Sequence, residues 1–462
     1  MTGEGELAER GTSSRGEERG ASDEKFGISA PSITLPKGGG AISGMGEKFA
    51  ANPVTGTGSM TVPVSTSPGR SGFDPQLSLS YDSGAGNGPF GFGWYLSLPS
   101  ITRKTDKGLP KYQDANESDV FILSGAEDLV PVLVQDGGKW GREKIPPQTV
   151  GDKIYSVQRY RPRIEGLFAR IERWTNTVDP ADTFWRSVSK DNITTFYGKT
   201  AESRIADPTD TTNIFSWLIC QSYDDRGNGI VYKHAEENSD GMDLSQANEK
   251  NRTPSGRSAN RYLKRIQYGN RQPNRDAGWN ATDLLLLPNS TWMFEVVLDY
   301  GDHDLETPSP DEPDKIWTRR NDPFSSYRSG FEVRTYRLCQ RVLIFHHFPG
   351  EEGVGQDCLV RSTDFTYSYE VNLADSRNPI FSFLLSVSQS GYKRQNSSYL
   401  KKSLPPIEFE YTQPAIDETI QEVDPESVEN LPYGLDNGRY QWADLDGEGL
   451  SGILTEQATG WF

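Results

Sequence analysis

The stretch Gln76-Leu-Ser-Leu-Ser-Tyr-Asp-Ser-Gly-Ala-Gly-Asn-Gly-Pro-Phe-Gly-Phe-Gly-Trp-Tyr-Leu-Ser-Leu-Pro-Ser-Ile101 decides the fold class. It opens on an apolar/polar alternation from Gln76 to Tyr81, the period of a half-buried strand. Glycines and clustered aromatic residues follow from Tyr81 to Trp94, as at a tight corner packed by rings. The glycine spacing resembles that of a phosphate-binding loop, but such a loop must lead into a helix N-terminus. Here the continuation from Tyr95 to Ile101 alternates again, so the stretch predicts strand, corner, strand and no nucleotide site.

The same grammar extends in both directions. Toward the N-terminus, Ser59-Met-Thr-Val-Pro-Val-Ser65 alternates, whereas residues 1–27 are too polar and glycine-rich to offset the entropy of ordering and are expected to be disordered. Toward the C-terminus come short strands at Val120 to Leu123, Leu129 to Val134 and Thr194 to Tyr197. Residues Ile214 to His234 read as one hairpin, with Trp217 to Cys220 and Ile230 to His234 as strands and Asp224-Asp-Arg-Gly-Asn-Gly229 as the turn. Two polar stretches, Glu236 to Arg261 and His303 to Pro323, read as exposed loops. Beyond them, Phe331 to Phe345 and Ser362 to Tyr369 alternate as half-exposed strands, and Ile380 to Gly391 reads as strand in preference to a short helix. An acidic linker follows over 416–439, and a new unit starts near Tyr440 and stops in mid-pattern, as expected of a segment of a larger protein.

Composition sharpens this reading. The 46 Gly, 29 Pro, 20 Tyr, 20 Phe and 10 Trp favour many short strands joined by tight turns. With 48 Lys and Arg against 65 Asp and Glu, a net charge of −17, the chain lacks the basic excess of a general nucleic-acid binder. Cys220, Cys339 and Cys358 are widely spaced, without a CxxC pair, and are expected to be buried free thiols. The apolar run Leu284 to Leu287 is far too short for a membrane span, and the first residues have no apolar signal region. Synthesis in the cytoplasm and release by lysis or a non-classical route is the corresponding expectation.

No catalytic constellation emerges. His234, His303, His346 and His347 lack metal-ligand spacing, and no nucleophile elbow, Walker loop or kinase set is visible. His346 and His347 end an alternating strand, so one is expected to face the core and the other water. His303 lies among carboxylates in Asp299-Tyr-Gly-Asp-His-Asp304 and reads as part of a solvated turn. The chain is therefore expected to carry no complete enzyme site and no required cofactor.

Two motifs are more specific. Trp442-Ala-Asp-Leu-Asp-Gly-Glu-Gly-Leu-Ser-Gly-Ile-Leu454 places alternating oxygen ligands on a glycine-bent loop before a strand. It resembles the FG-GAP or VCBS repeat of β-propeller blades. Asp444, Asp446 and Glu448 could supply calcium ligands, but Gly452 stands where that repeat closes with another Asp, so a structural turn is the first reading and a calcium site the second. Tyr223-Asp-Asp-Arg-Gly-Asn-Gly-Ile-Val-Tyr232 is similar to the YD repeat of RHS proteins, with Tyr223, Asp224, Gly227, Asn228 and Tyr232 as its structural residues.

Together with Ser32 to Phe49, Gly58 to Val64, Leu77 to Gly88, Phe90-Gly-Phe-Gly-Trp94 and Ser329 to Cys339, these strings resemble the family of SpvB and the B components of insecticidal Tc toxin complexes. The resemblance implies a mainly β fold: an extended antiparallel sheet and hairpin shell over 28–415, then the 416–439 linker, then the first strands of a propeller over 440–462. It implies a structural role, helping to enclose a toxic C-component effector and to dock on a pore-forming A component. A rival implication is the delivery domain of an SpvB-like toxin whose ADP-ribosyltransferase lies in a further C-terminal domain. A third is an RHS-related secreted or surface carrier of polymorphic toxins.

Overall fold

The computed structural model describes residues 45–51, 57–124, 128–311, 313, 315–371, 381–412, 419–420, 422, 424–426, 440–443, 452–457 and 460–461. The expected tail 1–27, most of the linker, and Asp444, Asp446 and Glu448 lie outside the described residues. The chain divides into two compact units, Met1–Glu410 and Tyr411–Phe462.

Among the described residues of the first unit the strands all pair antiparallel and helix is minimal, in accord with the predicted class. A four-stranded sheet runs in the order Lys48–Ala51, Gly58–Val64, Leu77–Asp82, Trp94–Leu96. The alternation read between Tyr95 and Ile101 is two strands, not one. Trp94–Leu96 pairs with Leu77–Asp82, whereas Ser100–Arg103 joins the large sheet. Pro99, which has no N–H for a ladder, lies in the break.

The large sheet closes on itself, which the alternation did not reveal. Ser100–Arg103 pairs with Phe121–Leu123, which pairs with Asp128–Pro131, and that with Lys153–Pro162. Arg170–Asn176, Thr183–Val188, Thr194–Tyr197 and Asp210–Tyr223 follow in turn, and the last returns to Ser100–Arg103. Such a ring of about eight strands has an interior that side chains can fill. Phe121, Tyr160, Trp185 and Trp217 meet there with ring centroids 4.9–5.9 Å apart. Several of these contacts join strands that are not hydrogen-bonded neighbours, so they cross the interior. A second apolar cluster, Tyr155, Val157, Trp174 and Phe184, lies on the other face of the same strands.

The ring strand Asp210–Tyr223 is long enough to belong to two structures. Its C-terminal end also pairs with Gly229–Glu236, the second strand of the expected hairpin. From there the sheet runs open through Arg261–Asn270, Trp292–Asp299, Arg341–Phe348, Gly355–Tyr367 and Leu384–Gln395, with Ser398–Ser403 and Ile407–Glu408 both pairing to the last of these. Its central strands are buried on both faces. Val296 and Leu298 join the main core, while Val297 between them packs with Leu343, Phe345 and Leu359 on the opposite side.

Three further expectations change. The apolar run Leu129 to Val134 breaks at Val132: its first half is in the ring and Leu133–Asp136 forms a separate hairpin with Lys139–Arg142. The run Phe331 to Phe345 is likewise two strands: Val333–Arg337 pairs with Arg319–Ser326 outside the large sheet, and Arg341–Phe348 lies within it. That strand Arg319–Ser326 also occupies the end of the stretch read as a second polar loop. In the second unit, Tyr440–Ala443, Gly452–Gln457 and Gly460–Trp461 pair antiparallel in sequence order.

Candidate functional site

The YD-like turn was the most explicit structural motif in the sequence, and it is folded as a closed knot of hydrogen bonds. Asp224 Oδ1 accepts from the backbone N–H of Arg226 at 3.0 Å and of Asn228 at 2.8 Å, and Oδ2 accepts from Asn228 Nδ2 at 2.7 Å. Gly227 sits at φ +84°, and a Cβ there would lie 2.9 Å from Pro273 Cβ and 3.0 Å from the Asn274 nitrogen. The close approach is used: Asn270 Nδ2 and the Asn274 N–H both donate to the Gly227 carbonyl at 2.8 Å. Asn270 Oδ1 in turn accepts from the Gly229 N–H at 2.8 Å. Tyr223 packs on Phe196 and under Arg275, and Tyr232 is buried. The turn is thus tied to Asn270 and Asn274 through Gly227 and Gly229, and the carboxylate of Asp224 is spent inside the turn.

A second constellation was not legible. The stretch from Glu236 to Arg261, read as an exposed loop, is a strap anchored by buried charge. Glu237 and Arg337 are both 0 % exposed at their side chains and pair at 2.7 Å, with Arg337 Nε donating to the same carboxylate at 3.0 Å. Tyr262 Oη donates to Glu237 Oε2 at 2.9 Å, and Arg337 lies 5.0 Å from the Trp317 ring centroid. Twelve residues on, Glu249 accepts from Arg334 Nη2 at 2.7 Å and from Tyr336 Oη at 2.5 Å. Burial opposes ionisation of Glu249, but Tyr336 and Arg334 outweigh it and hold its carboxyl below the usual range. The signal that could have exposed this was on the other partner. Arg334 and Arg337, three apart, stand on opposite faces of one strand, so covering either face buries a guanidinium that needs a carboxylate.

Charge also closes one end of the ring. Arg103, buried, donates to the Ile214 carbonyl at 2.7 Å and to Asp114 and Asp119 at 2.6 and 2.7 Å. Its guanidinium lies 5.1 and 5.5 Å from the Phe121 and Trp217 centroids. Arg173 reaches the same Asp114 at 2.5 Å. Burial raises the Asp114 carboxyl, yet the two arginines bring it below its ordinary value.

The histidines are placed differently from expectation. His303 is buried, not in a solvated turn, and its backbone N–H donates to Asp299 Oδ1 at 3.2 Å. Neither His346 nor His347 simply faces water. His346 Nε2 is 2.6 Å from Ser67 Oγ, and burial together with the neighbouring His347 pushes it down to about 4. His347 is held between Asp357 at 2.8 Å and Glu295 at 3.3 Å; burial lowers it, but the two carboxylates prevail and raise it. His234 is pushed down to about 3 by burial and by Arg261. The three cysteines are buried and free, as expected, and burial lifts the Cys220 thiol to about 11. Among the described residues, no three His, Cys, Asp or Glu side chains gather in a metal-binding arrangement, and no helix is long and apolar enough to cross a membrane.

These features define a class: a β-scaffold in which polar side chains of the turn, the strap and the ring mouth join one segment of chain to another. Comparison with known proteins supplies the family. The family model described as SpvB, Salmonella virulence plasmid 65kDa B protein, matches residues 52–348, and the chain belongs to this family. The mono(ADP-ribosyl)transferase SpvB of Salmonella typhimurium strain 14028s is 38% identical over 375 residues, and that of Salmonella dublin is likewise 38% identical. The match to the former takes in 78% of this chain and 58% of that protein, so the chain spans less than two thirds of the curated relatives it matches. Among solved structures, the N-terminal domain of the effector SpvB from Salmonella typhimurium strain LT2 superposes with a TM-score of 0.61 at 36% identity, covering 72% of this chain and 98% of that one. TcdB2-TccC3 superposes with a TM-score of 0.70 at 30% identity, over 94% of this chain and 20% of that one. The Photorhabdus luminescens Tc holotoxin pore gives 0.69 and 31%, over 95% and 19%. The chain is thus a toxin-related domain of the kind that stands at the N-terminus of SpvB.

Proposed function

We propose that the chain is a structural segment of a Tc-like toxin B component, helping to form the shell around a toxic C-component effector and to dock the assembly on a pore-forming A component. One observation carries this reading. Likeness to TcdB2-TccC3 extends over 94% of the chain, whereas the match to the whole SpvB protein takes in 78% of it while using 58% of SpvB. The excess favours a protein that continues as Tc B components do. The open sheet agrees physically, because long neighbouring strands hide each other's edges and can be extended without redesign. In this reading the YD-like hairpin of Tyr223, Asp224, Gly227, Asn228 and Tyr232 is a structural repeat. The paired strands Tyr440–Ala443 and Gly452–Gln457 begin a propeller in this reading, and calcium binding by Asp444, Asp446 and Glu448 is a secondary proposal. The protein would be made in the cytoplasm and released by lysis or a non-classical route.

The higher identity to SpvB, 36% against 30% on superposition, favours a second reading: a delivery domain whose partner domain is an ADP-ribosyltransferase. Sequencing the transcript across and beyond the Phe462 codon, together with its neighbouring genes, separates the two. Propeller and RHS repeats beside A- and C-type genes are the expected result. A transferase domain soon after that codon would replace the first reading by the second.

A further inference from the structure

The hairpin Leu133–Asp136 and Lys139–Arg142 is unlike the rest of the fold. It pairs only with itself, and every residue of it except Arg142 is exposed. Its turn, Gly137-Gly138, takes φ of +56° and +83°, the left-handed pair that suits a two-residue hairpin loop, and a Cβ at Gly137, Gly138 or Gly141 would meet nothing within 4 Å. Such a ribbon is marginal in water by itself, so its root matters. The Val132 N–H donates to the Arg159 carbonyl at 3.0 Å, Arg159 pairs with Glu143 at 3.0 Å, and Arg142 lies 5.0 Å from the Tyr160 centroid. A firmly rooted ribbon thus carries Trp140 at 68 %, Leu133 at 47 % and Val134 at 39 % exposure. The register Gln135↔Trp140 puts Leu133, Trp140 and Arg142 on one face, and Val134 and Lys139 on the other, with Lys139 and Trp140 adjacent beside the turn.

Local charge also departs from the chain's net −17. The ribbon and its root, residues 133–144, hold Lys139, Arg142 and Lys144 against Asp136 and Glu143, and Arg142 is paired with Glu117. Lys139 and Lys144 are exposed, and neither makes an ion pair among the described residues.

We propose that this ribbon is a docking element for anionic lipid surfaces, with Trp140 and Leu133 entering the headgroup boundary while Lys139 and Lys144 contact lipid phosphates. A protein partner fits the ribbon less well. A stable protein interface needs about 1,200 Å² or more of complementary surface, which two four-residue strands do not offer. A bilayer interface needs only a few inserted apolar side chains, with Trp at headgroup depth and cations alongside. The inference is independent of the shell reading, since it rests on the ribbon alone.

The test is co-sedimentation of the 462-residue chain with phosphatidylcholine vesicles and with vesicles containing phosphatidylserine, at low and high salt. Binding is expected only to the anionic vesicles and is expected to weaken with salt. The paired Lys139→Gln, Lys144→Gln variant should bind about 25-fold more weakly, at about fivefold per charge, and Trp140→Ser about tenfold more weakly. Both variants touch exposed side chains, and unchanged thermal melts would establish that they remain folded. Absence of binding to anionic vesicles would overturn the proposal. Binding that survives both variants would overturn it too, by placing adhesion elsewhere on the chain. So would ribbon variants that leave vesicle binding intact but abolish capture of an acidic protein.

Discussion

The ring from Ser100 to Tyr223 and the open sheet from Gly229 to Ser403 are built from the same antiparallel hairpins, yet they handle exposed strand edges in opposite ways. The ring abolishes its edges by closure and fills its interior with Phe121, Tyr160, Trp185 and Trp217. The open sheet stays extendable, and flanking segments are held near it by charge, as the strap is by Glu237 and Arg337. Closure makes stability a matter of apolar packing, whereas the strap makes it a matter of paired charges whose separation costs far more than their burial as a pair. The comparison teaches that a single strand, Asp210–Tyr223, can end one regime and begin the other.

The contrast can be broken most severely inside the ring. Trp217 is fully buried, and its Nε1 donates to the Thr183 carbonyl at 2.8 Å. Trp217→Ala should cost about 3–5 kcal/mol, read as a shift in the denaturant midpoint; a loss near zero would mean that the interior is not closely packed. At the strap, Arg337→Met alone strands the buried Glu237 carboxylate and should cost about 3–4 kcal/mol. Adding Glu237→Gln should recover much of that loss. A double-mutant cycle in which the two costs simply add would refute the charge-latch account.

The turn that joins the two regions offers a smaller effect. Gly227→Ala forces a left-handed conformation and a close contact with Pro273, for an expected loss of about 1–3 kcal/mol by thermal melt. Substituting Ala for the neighbouring exposed Asp225 should leave the melt unchanged, which separates the glycine's role from general sensitivity of the turn.

The least effect is pH-dependent and confined to the open sheet. His347 has its folded-state value raised above the ordinary 6.5 by Glu295 and Asp357, against the opposing effect of burial. Its contribution is therefore complete below about pH 6.5 and is lost as pH rises through the raised value. His234, lowered to about 3, acts the other way, and its contribution is lost as pH falls from about 6.5 toward 3. The stability gap between the native chain and His347→Gln should accordingly narrow from pH 6 to pH 9. A gap that widens over that range would reverse the assignment.

Much of the local structure was legible in the sequence. The alternations at Ser59 to Ser65 and Gln76 to Tyr81, the hairpin about Asp224 to Gly229, and the burial of Cys220, Cys339 and Cys358 all appear where the pattern put them. Those signals are carried by neighbouring residues: a period of two, a glycine able to take positive φ, an Asp able to bond its own turn. The breaks at Pro99 and Val132 were harder, because a strand that changes partner keeps its alternation while leaving its sheet.

What the sequence by itself determined was therefore the class, the strand vocabulary and the family strings. Tertiary structure alone decided which strands meet. Arg103 and Ile214 are 111 positions apart, and Glu237 and Arg337 are 100 apart. Alternation says that a strand has an apolar face but not which edge it will join, and a lone Glu in a polar stretch looks the same in solvent or in a buried pair. Ring closure and the strap exist only once distant segments share register and a common interior, and that is set by the packing of the whole unit.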